Sequence, residues 1–404
     1  MSAHATNNPV LYDIRVRGHL DDGWSDRVDV TSITREADGT TLLRIPVRDQ
    51  AALHGVIARM RDLGIPVISV CPIDAAPAGN GLMQAVLQTK YGSADELQLA
   101  TASIPTVGDR EVLVRVRASA VDAGVVHLMT GRPYVLRAVY GLRRPKQSIP
   151  GLDLAGQVEA VGSAVTRFQP GDDVFGSGAG AYAEYAAVPE DRLAHRPPTV
   201  SWEQAAALGT SAVTALQALR DAAAVQPGQH VLVIGASGGV GSFAVQIAVA
   251  LGARVTAVAS TAKLDLVRSL GATQVVDYTR EEITARGARF DVILDIAGNR
   301  PIRLLRRALA PDGTLVIVGG EGGGTFAGGV DRQLRARILS AFVRQKLGFL
   351  ISTVRPADLE VLAALARDGR ITPAVDRTFP LHESQDAIRH VQSGRARGKV
   401  VITV

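Results

Sequence analysis

The alternation of apolar and polar residues divides the chain into three stretches of different character. Between Leu11 and Val70, three β-type runs, LYDIRVRGH, RVDVTSIT and TTLLRIPV, are separated by the turn-rich DDGWSD and READG. The pattern then changes to helical from Gln50 to Leu63. Asp49 is a good N-cap, Leu53, Val56, Ile57, Met60 and Leu63 form one apolar stripe, and Gly64 stops the helix before a last strand, IPVISV. Residues 1–70 therefore read as a small α+β module of order βββαβ. Its lone His19 and His54 are expected to be structural or surface residues. The module has no clustered chemistry, so assembly or partner binding is its default role.

Residues 71–81, CPIDAAPAGNG, read as a linker. From 82 to 209 the chain is short strands with Gly and Pro-Gly punctuation, which argues for a compact barrel-like β domain. Residues 210–344 then alternate strand and helix. Apolar strands are predicted at Val231–Ile234, Arg254–Ala259, Gln274–Tyr278, Phe290–Gly298 and Thr314–Gly320. Helices fall at Ser242–Leu251, Leu264–Leu270 and along RLLRRALAPDG. Such alternation builds a parallel sheet. EGGGTFAGG, up to Gly329, is expected to be a mobile loop, and DRQLRARILSAFVRQKLGFLIS one or two basic amphipathic helices.

The stretch with most chemical content is VLVIGASGGVG, Val231 to Gly241, a strand that runs into glycines and then a helix. Gly235, Gly238 and Gly241 form a GxxGxxG variant, with Ala236 where the commoner pattern has glycine. Gly238 and Gly241 let backbone approach a pyrophosphate, and Ser237, Gly239 and Val240 complete the turn whose free N–H groups face the anion. The second strand ends on Ser260, Thr261 and Lys263 rather than on the carboxylate that an NAD site sets on the ribose hydroxyl. Two hydroxyls and an ammonium suit a 2'-phosphate, so NADPH is expected.

Composition narrows the class. The chain has 404 residues, 47% hydrophobic and 21% charged, which suffices for two or three domains with their own cores. Cys71 is the single cysteine, which excludes an intramolecular disulfide and a cysteine-rich zinc lobe. A formal charge of +5, from 44 basic and 39 acidic residues, does not point to nucleic acid. The first residues lack a signal-type pattern and no apolar run reaches the length of a membrane span, so a cytoplasmic protein is expected.

Several long segments carry a resemblance. PGLDLAGQVEAVGSAVTRFQPGDDVFG, AYAEYAAVPEDRLA, AALGTSAVTALQAL, GASGGVG and the closing GKVVITV, in that order, resemble the medium-chain dehydrogenase/reductase superfamily, and within it the zinc-independent quinone oxidoreductase branch. The resemblance implies a GroES-like domain at 82–209 completed by 345–404, a doubly wound Rossmann NADPH-binding domain at 210–344, and an active site in the cleft between them. It also implies pairing of two copies through the Rossmann sheet edge. Tyr278 matches a tyrosine that packs at the 2'-phosphate. Thr214, Val318 and Gly319 match positions near the nicotinamide, and Lys399 matches a cofactor-side position.

The residues agree with a metal-free reading. Where zinc-using relatives carry a His-Glu pair, this chain reads Gly151-Leu152-Asp153-Leu154-Ala155-Gly156, with no nitrogen or sulfur ligand. Without a Lewis acid, hydride transfer to a quinone or to the β-carbon of an enone is easier than alcohol chemistry, because one or two hydrogen-bond donors stabilise the conjugated oxygen. By resemblance those donors lie in SAVDAGVVHLMTGRPY. His127 matches a polar position that donates to substrate, and Tyr134 is a second candidate. The family reads close to NAGDWH in this loop, whereas Asp122 replaces the asparagine and Val125 with Val126 replace the acid-aromatic pair. The departures leave open a more apolar substrate or cofactor binding without turnover. Three other readings also stay open: NADP-dependent alcohol or aldehyde dehydrogenase activity, an NADPH-binding sensor or scaffold, and quinone reduction at a membrane surface.

Overall fold

The computed structural model describes residues 10–20, 30, 32–35, 39–48, 50–73, 81–283, 287, 289–298, 300–320, 324, 326 and 328–404. The chain divides into two compact units, Met1–Leu82 and Met83–Val404.

In the first unit, strands Val10–Arg17, Ser32–Arg35, Thr40–Val47 and Val67–Ile73 form one sheet in which Val10–Arg17 lies between Thr40–Val47 and Val67–Ile73, antiparallel to both. Register pairs Ile14 with Leu43 on one side and with Val70 on the other. Helix Gln50–Asp62 contributes Met60, which is buried with Ile14, Val16, Leu43, Ile45 and Val47. Truncating a side chain of this core to alanine costs about 2–5 kcal/mol. The expected βββαβ order holds, with two differences. Leu63, placed on the apolar stripe, is exposed, because the helix ends one residue earlier. The last strand runs on through Ile73, into the expected linker. Gly64 has φ +72°, and its N–H and that of Ile65 cap the Arg61 and Met60 carbonyls, as a left-handed helix stop requires. His19 and His54 are exposed. Asp49, the DDGWSD turn, 36–38 of READG and 74–80 of the linker lie outside the described residues.

Among the described residues the second unit holds two large sheets, besides the two-stranded pairing of Leu82–Leu87 with Gln98–Ser103. The first runs Leu193–His195, Asp173–Ser177, Asp153–Val161, Glu111–Val121, Lys399–Thr403, Val375–Pro380, with Tyr185–Pro189 also paired to Glu111–Val121. The C-terminal strand is thus inserted beside Glu111–Val121, with Val400 opposite Val121. The second sheet is parallel throughout, in the order Gln274–Asp277, Arg254–Ala259, His230–Ile234, Phe290–Asp295, Leu309–Ile317, Lys346–Phe349. Its strands are apolar on both faces, and Val231, Val233, Val255, Val292 and Leu294 are buried against helices Gly239–Ala250 and Thr210–Gln217. A GroES-like β domain and a Rossmann sheet are therefore both present.

Two sequence expectations are corrected here. RLLRRALAPDG is helical only over Ile302–Ala308, and the strand begins at Leu309 rather than Thr314. The basic segment forms one helix, Val330–Ser340, and then an edge strand, Lys346–Phe349, paired with Thr314–Ile317. KLGF carries a glycine and is too short for periodicity to separate strand from helix. That strand puts residues 346–349 in the parallel sheet rather than in the β domain. Of the expected mobile loop, only Gly320, Gly324, Phe326, Gly328 and Gly329 are among the described residues.

Candidate active site

The turn after strand His230–Ile234 is closed by glycines for two separate reasons. Gly235 has φ +85°, in the left-handed region. Gly241 has ordinary backbone angles, but a Cβ there would stand 2.1 Å from the Gly235 carbonyl oxygen. The helix Gly239–Ala250 can start so close to the strand only because both positions lack side chains. Gly238 is its N-cap, offers no side chain to the first-turn N–H groups, and would tolerate a Cβ, whose nearest neighbour would be Gly235 O at 3.7 Å. Exposed first-turn N–H groups and bare glycine backbone suit a pyrophosphate.

A cleft of about 670 Å³ runs from this turn across to the β domain. Of the residues singled out for the cofactor, Thr214, Gly235, Ser237, Gly238, Gly239, Val240, Ser260, Lys263, Tyr278, Val318 and Gly319 line it. Gly241 does not, because it packs under the turn. Lys399 does not either: it is buried below the cleft floor, where a Cβ on Gly239 would lie 3.2 Å from its Cδ. Gly319 lets two strand ends meet, since a Cβ there would be 1.9 Å from Ile296 O. The Thr214 hydroxyl lies 2.7 Å from that of Ser352.

At the far end of the cleft, Lys263 Nζ donates to the carbonyls of Gly394 and Ala396, both at 2.7 Å. Burial lowers the affinity of this amine for its proton, with the Asp376 charge opposing. Tyr278 is half exposed and lines the same cleft. A carboxylate stands one strand over: Asp277 accepts from Thr261 Oγ1 at 2.5 Å and from Thr279 N and Oγ1 at 3.0 and 2.6 Å. These hydrogen bonds, that of Thr261 foremost, hold its carboxyl below the usual range. Its oxygens are thereby occupied, and Asp277 is not among the cleft-lining residues.

At the β-domain end, Asp122, Ala123, Gly124 and His127 line the cleft. Strand Glu111–Val121 delivers Asp122 to the N-terminus of helix Ala123–Thr130, which carries His127 in its last turn. His127 Nδ1 is 3.0 Å from Arg132 O, which fixes the ring. Asp122 is the N-cap residue, but its side chain makes no cap bond. Instead its Oδ1 accepts from Lys399 Nζ and from Ser211 Oγ, so the charge that replaces the family asparagine is neutralised by an ammonium. Burial opposes ionisation of Asp122, but the Lys399 charge and hydrogen bonds from neighbouring groups hold its carboxyl below the usual range.

Three expectations for this loop change. Tyr134 does not line the cleft: it is exposed, with the Arg137 guanidinium 4.7 Å over its ring. Val125 is buried among Val121, Met129 and Tyr182, and Val126 packs against the same cluster. The two valines therefore fill core rather than pocket. Sequence reasoning also missed Thr210, Ser211, Arg300 and Ser352, all on the cleft wall. The segment AALGTSAVTALQAL signalled only a family likeness, although its Thr210 and Ser211 hydroxyls meet Asp153 and Asp122.

Comparison with known proteins agrees with this architecture. Residues 108–198 match the family of alcohol dehydrogenase GroES-like domains and 270–402 that of zinc-binding dehydrogenases, while 11–71 match a domain of unknown function. The chain is 31% identical over 343 residues to the chloroplastic quinone-oxidoreductase QR1 of Triphysaria versicolor, covering 80% of this chain and 98% of that one. It is 30% identical to the chloroplastic NADPH-dependent alkenal/one oxidoreductase of Arabidopsis thaliana, with 79% of each covered. The structure of the quinone oxidoreductase from Coxiella burnetii superposes with a TM-score of 0.71 at 26% identity, over 80% of this chain and 99% of that one. A pyridine nucleotide fits the glycine turn and the cleft it opens onto, and with these relatives the chain belongs to the medium-chain dehydrogenase/reductase superfamily, as an NAD(P)H oxidoreductase among its quinone oxidoreductase-like members.

Proposed function

We propose that the protein is an NADPH-dependent, zinc-independent reductase of quinones or α,β-unsaturated carbonyls. The observation that carries this reading is the convergence on one cleft of the glycine turn, of Ser260, Lys263 and Tyr278 at one end, and of His127 at the other. Ser260 and Tyr278 hold the ribose end, and Lys263 meets the 2'-phosphate by exchanging its carbonyl partners for it. Bound NADPH supplies a hydride. His127 donates to the acceptor oxygen that becomes negative, and the surrounding backbone excludes water. Thr214, Val318 and Gly319 orient the nicotinamide.

Zinc does not fit the donor set. Segment 151–156 offers only Asp153, and the Lys399 ammonium stands against both it and the neighbouring Asp122, where its charge repels a cation. Among the described residues no three His, Cys, Asp or Glu side chains come together as a metal site. The reading extends to a homodimer formed through the outer strand Lys346–Phe349, where Phe342, Phe349 and Ile351 are exposed, and to partner binding by the N-terminal module. It also keeps the protein in the cytoplasm.

The direct test is to supply NADPH deuterated at the transferred position together with an enone. Deuterium at the β-carbon of the reduced product supports the reading; oxidation of an added alcohol by NADP with no enone reduction overturns it.

A further inference from the structure

Beneath the cleft floor, three polar oxygens are buried with no hydrogen-bond partner among the described residues: Asp122 Oδ2, Asp153 Oδ2 and Tyr182 Oη. They belong to one cluster. Asp153 is wholly buried at the start of strand Asp153–Val161, and its Oδ1 accepts from Thr210 N at 2.9 Å and Thr210 Oγ1 at 2.6 Å. Asp122 Oδ1 accepts from Ser211 Oγ at 2.5 Å and from Lys399 Nζ, and the same Nζ lies 3.7 Å from Asp153 Oδ2. The titratable groups facing one another here are Asp122, Asp153, Lys399 and Tyr182.

The charges do not balance if both carboxyls ionise. Two carboxylates against one ammonium leave a net negative charge in a buried cluster, and each carboxylate keeps an acceptor oxygen with no hydrogen-bond donor among the described residues. One proton between the two carboxyls removes the excess charge and gives both oxygens a partner. The physical trend of the groups agrees. Burial and the Asp122 charge push the Asp153 carboxyl well above its ordinary range, and burial with both carboxylate charges pushes the Tyr182 phenol up. The cluster also touches the chemistry, because Asp122, Thr210 and Ser211 line the cleft while Asp153 and Lys399 do not.

We propose that Asp122 and Asp153 share one proton and that this pair is the acid of the reaction, delivering the proton through Asp122 to the acceptor atom left negative by hydride addition. This role rests on the reductase reading given above. The acceptor takes two electrons and one hydrogen from the reduced nicotinamide, and its new O–H or C–H bond forms with the proton of the pair as the carboxylic O–H bond breaks. Two carboxylates and one ammonium remain, and a proton from water resets the pair. Lys399 is the positioning residue that holds Asp122 toward Asp153.

Infrared difference spectra of the full chain, Asp153→Asn and Asp122→Asn, in light and heavy water at neutral pH, test the shared proton without any substrate. The expected result is the C=O stretch of a neutral carboxylic acid in the wild type, moved by heavy water and lost in both variants. Its absence from the wild type overturns the proposal in favour of a buried water or two ionised groups. Turnover with NADPH and a quinone tests the acid role. Asp153→Asn should lower kcat by roughly a hundredfold or more at neutral pH, with KM for NADPH unchanged and the alkaline limb of the pH profile flattened. An unchanged kcat and profile overturns that role. If the wild type turns over no acceptor, the reductase reading fails and the acid role with it, and the infrared result still decides the shared proton.

Discussion

Lys263 and Ala396 face each other across the cofactor end of the cleft, with the Lys263 ammonium donating to the Ala396 carbonyl at 2.7 Å. The contact joins the turn after the second parallel strand to the loop that leads into the C-terminal strand. The amine is half-buried and its proton affinity is lowered, so an anion brought beside it gains more than it would at an exposed lysine. Lys263→Met is expected to weaken NADPH binding by about tenfold, the order of one hydrogen bond to a charged group, and to leave NADH binding nearly unchanged. Fluorescence titration with the two nucleotides checks this. Equal weakening of both would assign Lys263 to holding the loop alone.

The glycines of the turn divide into two classes. Gly241→Ala sets a Cβ against the Gly235 carbonyl, which neither backbone segment can avoid, whereas Gly238→Ala meets nothing closer than 3.7 Å. Gly241→Ala should therefore lower the melting temperature and abolish nucleotide binding. Gly238→Ala should melt close to wild type while binding nucleotide more weakly, because its methyl group intrudes on the phosphate path. Thermal melts paired with nucleotide titrations separate the two.

The turn was legible in the sequence because its constraint is local: a strand, a glycine where φ must be positive and a glycine where no Cβ fits leave a signature within eleven residues. The fold was legible for a similar reason, since alternating apolar strands and amphipathic helices state a parallel sheet. The pair Asp122 and Lys399 was not. The two residues lie 277 positions apart, and their meeting depends on insertion of the C-terminal strand beside Glu111–Val121. Tyr134 lies outside the cleft with the Arg137 guanidinium over its ring, a placement that no hydrophobic pattern reveals. KLGF misled because four residues are too few for a period.

The buried cluster makes stability depend on its cation and on pH. Lys399→Met leaves two buried carboxyls without their ammonium and should cost about 3–5 kcal/mol, the usual penalty for breaking a buried pair. In the wild type, Asp153 has a folded-state pKa raised above its ordinary 3.8. Such a group lends stability that is complete below the unfolded value and is lost as pH rises through the folded one. Asp153→Asn cannot ionise, so relative to wild type it should gain in urea or thermal unfolding as pH is raised from acid through neutral. A constant difference across that range would contradict a raised Asp153.

His127 lines the cleft with its ring fixed through Arg132 O, while the glycine turn opens onto the same cleft from the other sheet. His127→Ala should reduce acceptor-dependent turnover by roughly a hundredfold, the range of a lost oxyanion donor, without weakening NADPH binding. Stopped-flow reduction beside a binding titration reads both quantities at once. An unchanged rate would remove His127 from the reaction.

The measurement that bears most directly on the account is oxidation of NADPH by the purified full chain, with a quinone and an enone in separate wells and NADH run alongside. Loss of NADPH is expected only where an acceptor is present, at a kcat/KM that NADH does not approach. No acceptor-dependent loss with either compound, or equal rates with the two nucleotides, would contradict it.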